Sequence, residues 1–131
     1  MEIKKKEFTY RGKTIEELKS MDTREFAKLL KSRKRRTILR NFQEIEKFVN
    51  KSKEKISKNK PVKTHYRDLI VVPKMIGMKI QIHNGKSFIP FEATGETLGH
   101  SFGEFAPTRA RIKHGKSGIG ATKGTKHKAK K

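Results

Sequence analysis

The sequence predicts an α+β fold: N-terminal helices, then a small three-stranded, mostly antiparallel sheet, with basic flexible termini. Three observations carry this prediction. Apolar residues recur at helical spacing as far as Ile56, the pattern turns strand-like from Leu69 onward, and a formal charge of +21 is concentrated towards the two ends. At 131 residues the chain is expected to hold one domain with extensions. Residues 1–60 form its helical part, 61–109 a β-rich core and 110–131 a Gly-rich tail. Hydrophobic residues make up 32%, below the roughly 45–50% usual for globular proteins, so the core must be small.

Thr14-Ile15-Glu16-Glu17 has the form of a capping box, in which Thr14 satisfies the third helical N–H and Glu17 reaches back to the cap. Ile15 and Leu18 give that short helix one apolar edge. Asp22 is placed to cap a second helix over 23–31, where Phe26, Leu29 and Leu30 fall at helical spacing. Ile38, Phe42, Ile45, Val49 and Ile56 follow in steps of four, three, four and seven. They describe one stripe down a single long helix over 33–55. The polar stretch 57–63 contains Pro61, and the helix ends before it.

Leu69-Ile70-Val71-Val72 is a β-branched run stopped by Pro73 and reads as a buried strand. Lys79 to His83 alternates strictly, and Asn84-Gly85 follows, a dipeptide that favours a two-residue hairpin with positive φ at both positions. Lys86 to Phe91 is then the return strand, with His83 facing Lys86, Gln81 facing Phe88 and Ile80 facing Ile89. One face carries Met78, Ile80, Ile82, Ile89 and Phe91 and belongs to the core. The other carries Lys79, Gln81, His83, Lys86 and Phe88. Pro90 cannot donate to a ladder, which makes this an edge or bulged strand. Gly95, Gly99 and Gly103 then break up the chain, leaving room for one short helical turn ended by Gly99.

Charge points to the partner. Residues 1–60 carry +11 (20 basic, 9 acidic), 61–105 carry +1 (5 basic, 4 acidic), and 106–131 carry +9 (9 basic, none acidic). Two basic arms repel themselves in a compact state, and a polyanion relieves that repulsion while releasing counterions. The partner is a nucleic acid. Arg33, Lys34, Arg35 and Arg36 would put four cations in the first turn of a helix, against its dipole, and call for a phosphate there. The sheet face of cations and amide with an aromatic among them suits a phosphate backbone and an unstacked base. Arg109, Arg111, Lys113 and Lys116 open a cationic tail expected to be disordered in isolation.

Other chemistries find no support. There is no cysteine, and His65, His83, His100, His114 and His127 show no ligand spacing. Gly115-Lys116-Ser117 resembles the end of a P-loop, but Ala110 stands where its first glycine belongs. Glu104 is the one acid after Glu96, so no carboxylate pair is available for acid–base work. It is expected to pair with an arginine or to accept backbone N–H bonds. Neither catalysis nor a metal or cofactor is expected. The longest apolar run, Leu69 to Val72, cannot span a membrane, and no signal-type stretch follows Met1, so a cytoplasmic protein is expected.

Taken together, these segments resemble small-subunit ribosomal protein family nineteen. Leu98-Gly99-His100-Ser101-Phe102-Gly103-Glu104-Phe105-Ala106-Pro107-Thr108-Arg109 is similar to its signature, Ile82 to Lys86 to its turn, and Asp68 to Gly77 to its core strand. Phe8 to Gly12, Val62 to Arg67 and Lys113 to Thr122 resemble the archaeal and eukaryotic branch. Ala93 departs from the larger aliphatic residue usual in the family. The resemblance implies a structural constituent of the small-subunit head that binds the 3′ major domain of the rRNA. It implies rRNA contacts at Lys63, His65, Arg67, the Asn84-Gly85-Lys86 turn, His100, Gly103, Phe105 and Arg109, continuing through Arg111, Lys113, His114 and Lys116. The implied neighbours are ribosomal protein family thirteen, the large subunit across a bridge, and tRNA near the decoding site, reached by the tail. A stand-alone chromatin or regulatory protein is the rival. A helix-turn-helix regulator, however, needs a compact recognition helix on a helical scaffold, and here the helical stripe leads into a β core.

Overall fold

The computed structural model describes residues 7–112. The expectations for Lys113, His114, Lys116 and the rest of the tail lie outside the described residues. The chain opens with a hairpin, β1 (Thr9–Tyr10) and β2 (Lys13–Thr14), whose tip residues Arg11 and Gly12 both have positive φ, 52° and 79°. That is the conformation a two-residue type I′ turn requires.

Helix α1 (Ile15–Ser20) follows directly, and Thr14 caps it as expected. Glu17 N–H donates to Thr14 Oγ1 at 3.4 Å, and Thr14 N–H donates to the Glu17 carboxylate at 3.0 Å. Helix α2 (Thr23–Lys28) has Asp22 at its N-cap position, but that side chain makes no capping bond. Its carboxylate lies instead 3.6 Å from Lys74 Nζ. The single long helix expected over 33–55 is two helices, α3 (Ser32–Arg40) and α4 (Phe42–Ser57). The break is at Asn41, with φ −101° and ψ 19°, a residue type that suits helix ends better than interiors. The stripe survives the break as far as Val49, with Ile38, Ile45 and Val49 buried, but its last member, Ile56, is exposed.

The sheet has three strands in the order β3 (Val62–Thr64), β4 (Lys79–His83), β5 (Phe88–Glu92). Two details differ from expectation. The third strand is not Leu69–Val72 but Val62–Thr64, at the end of the polar break, and it runs parallel to β4. Leu69 to Val72 is fully buried, but it is an extended segment that bonds to 99–103. Val71 N–H donates to His100 O, Gly99 N–H to Val71 O, and Phe102 N–H to Leu69 O. A positive φ at Gly99 (78°) and a 3₁₀ turn at Phe102–Phe105 bound this partner segment and keep the pairing short.

The second difference is the β4–β5 register, which sets His83 against Phe88, Ile82 against Ile89 and Ile80 against Phe91. The tip is Gly85-Lys86, one residue later than expected. Asn84 Oδ1 accepts the N–H groups of Lys86 and Ser87, which draws Asn84 out of the tip. Only Gly85 then takes a positive φ, 97°, as a type II′ turn asks of its first residue. Moving the tip by one residue shifts the register by two, so every side chain keeps its face. Ile80, Ile82 and Phe91 accordingly lie in the core with Leu18, Phe26, Val49 and Phe102. One core thus joins the helices to the sheet.

Candidate nucleic-acid interface

The outer face of the sheet gathers rings. His83 on β4 and Phe88 on β5 are cross-strand partners, and His65 follows β3 on the neighbouring strand. Their ring centroids lie 4.4 Å apart for His65–His83, 4.9 Å for His83–Phe88 and 5.2 Å for His65–Phe88. Lys63, paired with Gln81, holds its ammonium 5.2 Å from the Phe88 centroid. Gly85 N–H donates to His83 Nδ1 at 3.0 Å, so the ring hydrogen sits on Nε2, free to donate. Lys79 and Lys86 are exposed on the same hairpin. Aromatic faces beside cations form a surface on which bases stack and phosphates are neutralised.

Arg67 lies between this cluster and the turn at Phe102–Phe105. Its guanidinium donates to His83 O at 2.7 Å, to Gly103 O at 3.1 Å and to Ala106 O at 2.6 Å. The group expected to touch RNA is thus engaged in joining the end of β4 to the signature turn. Gly103 serves the same packing: a Cβ there would lie 3.2 Å from Arg67 O. Phe105 is half-buried and stacks on Phe91, with centroids 4.3 Å apart and planes at 18°.

The other side of that turn holds a second group. Glu104 accepts from Lys34 Nζ at 3.2 Å and lies 2.6 Å from His100 Nδ1. Lys34 also donates to Ser101 Oγ at 2.6 Å. Burial pushes the Glu104 carboxyl up, but bonds from His100, Lys34 and the Ser101 N–H outweigh it and hold it below the usual range. The expected arginine partner is a lysine instead, and the expected backbone bond is present at 3.4 Å.

The four cations at the start of α3 therefore divide. Lys34 turns to the fold, and Arg35 donates to Leu30 O. Arg33 and Arg36 are exposed, as are Lys79, Lys86, Arg109 and Arg111, and none of these six forms an ion pair among the described residues. The internal roles of Arg67 and Lys34 left no mark in the sequence, because a side chain's partner across the fold has no local spacing.

The sequence profile described as Ribosomal protein S19 matches residues 31–114, a span that holds every expected contact except Lys116. The chain belongs to the ribosomal protein S19 family. A relative named small ribosomal subunit protein uS19, from Methanocella arvoryzae (strain DSM 22066 / NBRC 105507 / MRE50), is 48% identical over 125 residues. The alignment covers 95% of this chain and 87% of the relative. The similarity therefore extends beyond the profile to the β1–β2 hairpin and the first two helices.

Proposed function

We propose that this protein is a structural constituent of the small ribosomal subunit, binding the 3′ major domain of its rRNA in the head, without catalysis. Membership of the S19 family supports the assignment to the subunit. The observation that best supports RNA contact is the His65–His83–Phe88 cluster, flanked by Lys63, Lys79 and the Lys86 tip on an open sheet face. In this reading the exposed cations Arg33, Arg36, Arg109 and Arg111 meet phosphates. Arg67, Lys34 and Gly103 act one step behind, holding the hairpin and the signature turn in position. Residues 61–109 fix the register on rRNA, and the arms supply much of the affinity.

The finer partners follow the family resemblance: ribosomal protein family thirteen as neighbour, the large subunit across a bridge, and tRNA near the decoding site for residues beyond 112. The cell compartment is that of the cytoplasmic ribosome. The test is sedimentation of the native protein with small subunits, together with a salt titration on a 3′-domain transcript. Binding should weaken steeply with salt, by a log–log slope of about 0.7–0.9 per phosphate contact. Failure to sediment with small subunits, or an affinity indifferent to salt, would contradict the proposal.

A further inference from the structure

A second surface adjoins the ring cluster, sharing Lys63 and His65 with it, and extends along α4. Lys47, Lys51 and Lys55 stand at i, i+4 and i+8 on α4, all exposed, in a row that advances about 6 Å per step. They border a groove between α4 and β3, the free edge of the sheet. Phe48, Lys51 and Tyr66 line both ends of the groove. Tyr66 is 59% exposed, and its N–H donates to the hydroxyl of the buried Thr64 at 3.0 Å, which fixes the bend that brings it outward. Glu44 is the one acid in the lining, at the end away from Lys55. None of Lys47, Lys51, Lys55 and Lys63 forms an ion pair among the described residues.

We infer that this groove is a second RNA site, taking a single-stranded segment whose phosphates follow the lysine row and one of whose bases stacks on Tyr66. The inference rests on the reading of the chain as an rRNA binder. A cationic track with an aromatic platform beside it is the arrangement that holds single strands without reading their sequence. An acidic peptide is the poorer occupant. Adding a strand to β3 would offer it few main-chain bonds, because β3 is three residues long and Pro61 precedes it.

The test uses the full chain and a 3′-domain transcript, with the triple variant Lys47→Ala/Lys51→Ala/Lys55→Ala and the single variants Tyr66→Ala and Tyr66→Phe. All four side chains are exposed, so melting temperatures should stay at the parent value. The triple variant should lower the log–log salt slope by about 2, since each single-strand phosphate contact contributes about 0.7. Tyr66→Ala should weaken binding roughly tenfold, and Tyr66→Phe should bind like the parent, because the stacking ring remains. Unchanged slope and affinity in these variants, with Lys86→Ala still weakening binding, would overturn the groove and leave the rRNA reading standing. If the parent protein itself bound no transcript, the rRNA reading would fail first. If the triple variant kept its RNA affinity but lost a neighbouring protein from reconstituted subunits, the occupant would be that protein and the inference would be wrong.

Discussion

Three carbonyl oxygens, those of His83, Gly103 and Ala106, converge on the Arg67 guanidinium, and truncating that side chain would leave all three short of a donor. Bonds from a charged donor are worth about 1.5–3 kcal/mol each and do not simply add. Arg67→Ala should therefore cost about 2–4 kcal/mol in denaturant unfolding, and Arg67→Lys should recover little, since one ammonium lacks the planar fork. If Arg67→Ala proved neutral for stability, the clamp would carry no weight. A carboxylate plays the corresponding part on the helical side. Glu46 accepts from Thr23 Oγ1 at 2.7 Å and from Lys74 Nζ at 2.9 Å, joining α4 to the start of α2 and to the 3₁₀ turn Pro73–Met75. Burial pushes Glu46 up, but the bonds from Lys74 and Thr23 win and hold it below the ordinary range. Its contribution is complete above the unfolded glutamate value of about 4.3 and is lost as pH falls through the lower folded value. For Lys74, the bond to Glu46 raises the folded value against the pull of desolvation, so its contribution disappears only on the alkaline side. Glu46→Gln should be less stable than the parent at neutral pH, and the gap should close in unfolding curves taken progressively below about pH 4.3.

At the scale of elements, the β4–β5 hairpin separates two jobs by face. Ile80 is fully buried opposite Phe91, and Ile80→Ala should cost roughly 2–5 kcal/mol of stability. Lys86 is exposed at the tip, and Lys86→Ala should leave the melting temperature unchanged while weakening rRNA binding by about 1 kcal/mol. The reverse pattern in paired melting and binding measurements would exchange the two faces. These faces were legible in the sequence because strict alternation fixes them and a two-residue register shift preserves them. The tip itself was not, since the Asn84 side chain, bonding two N–H groups ahead of it, competes with the turn its dipeptide favours. Thr14 announced α1 because capping is local. Strand β3 escaped because three residues with Lys63 at their centre are too few to show a period, and its parallel pairing to β4 depends on contacts distant in sequence. Leu69–Val72 looked like a strand because it is buried on every side, and burial does not name a partner.

For the molecule as a whole, the C-terminal charge lies beyond the core, whereas the N-terminal charge shares its helices with core residues, and the first of these was readable from composition alone. The core cluster runs from Leu18 to Ala106, whereas the last 26 residues carry nine basic residues and no acid. Which cations face outward was not readable, as Lys34 and Arg67 show, because that depends on where carbonyls and Glu104 come to lie. Beyond Lys113 the apolar residues other than glycine are Ile119, Ala121 and Ala129, too few to hold a segment against a core. Deleting residues 115–131 should therefore leave the melting temperature and entry into small subunits close to those of the full chain. The lost function should appear elsewhere, as weaker tRNA binding or lower decoding accuracy in reconstituted subunits. Both halves can be measured on one preparation: thermal melts and sedimentation for the first, and tRNA affinity at the decoding site for the second. Truncated protein that folds but stays out of subunits would make the tail an rRNA anchor, and the proposed contact with tRNA would have to be withdrawn.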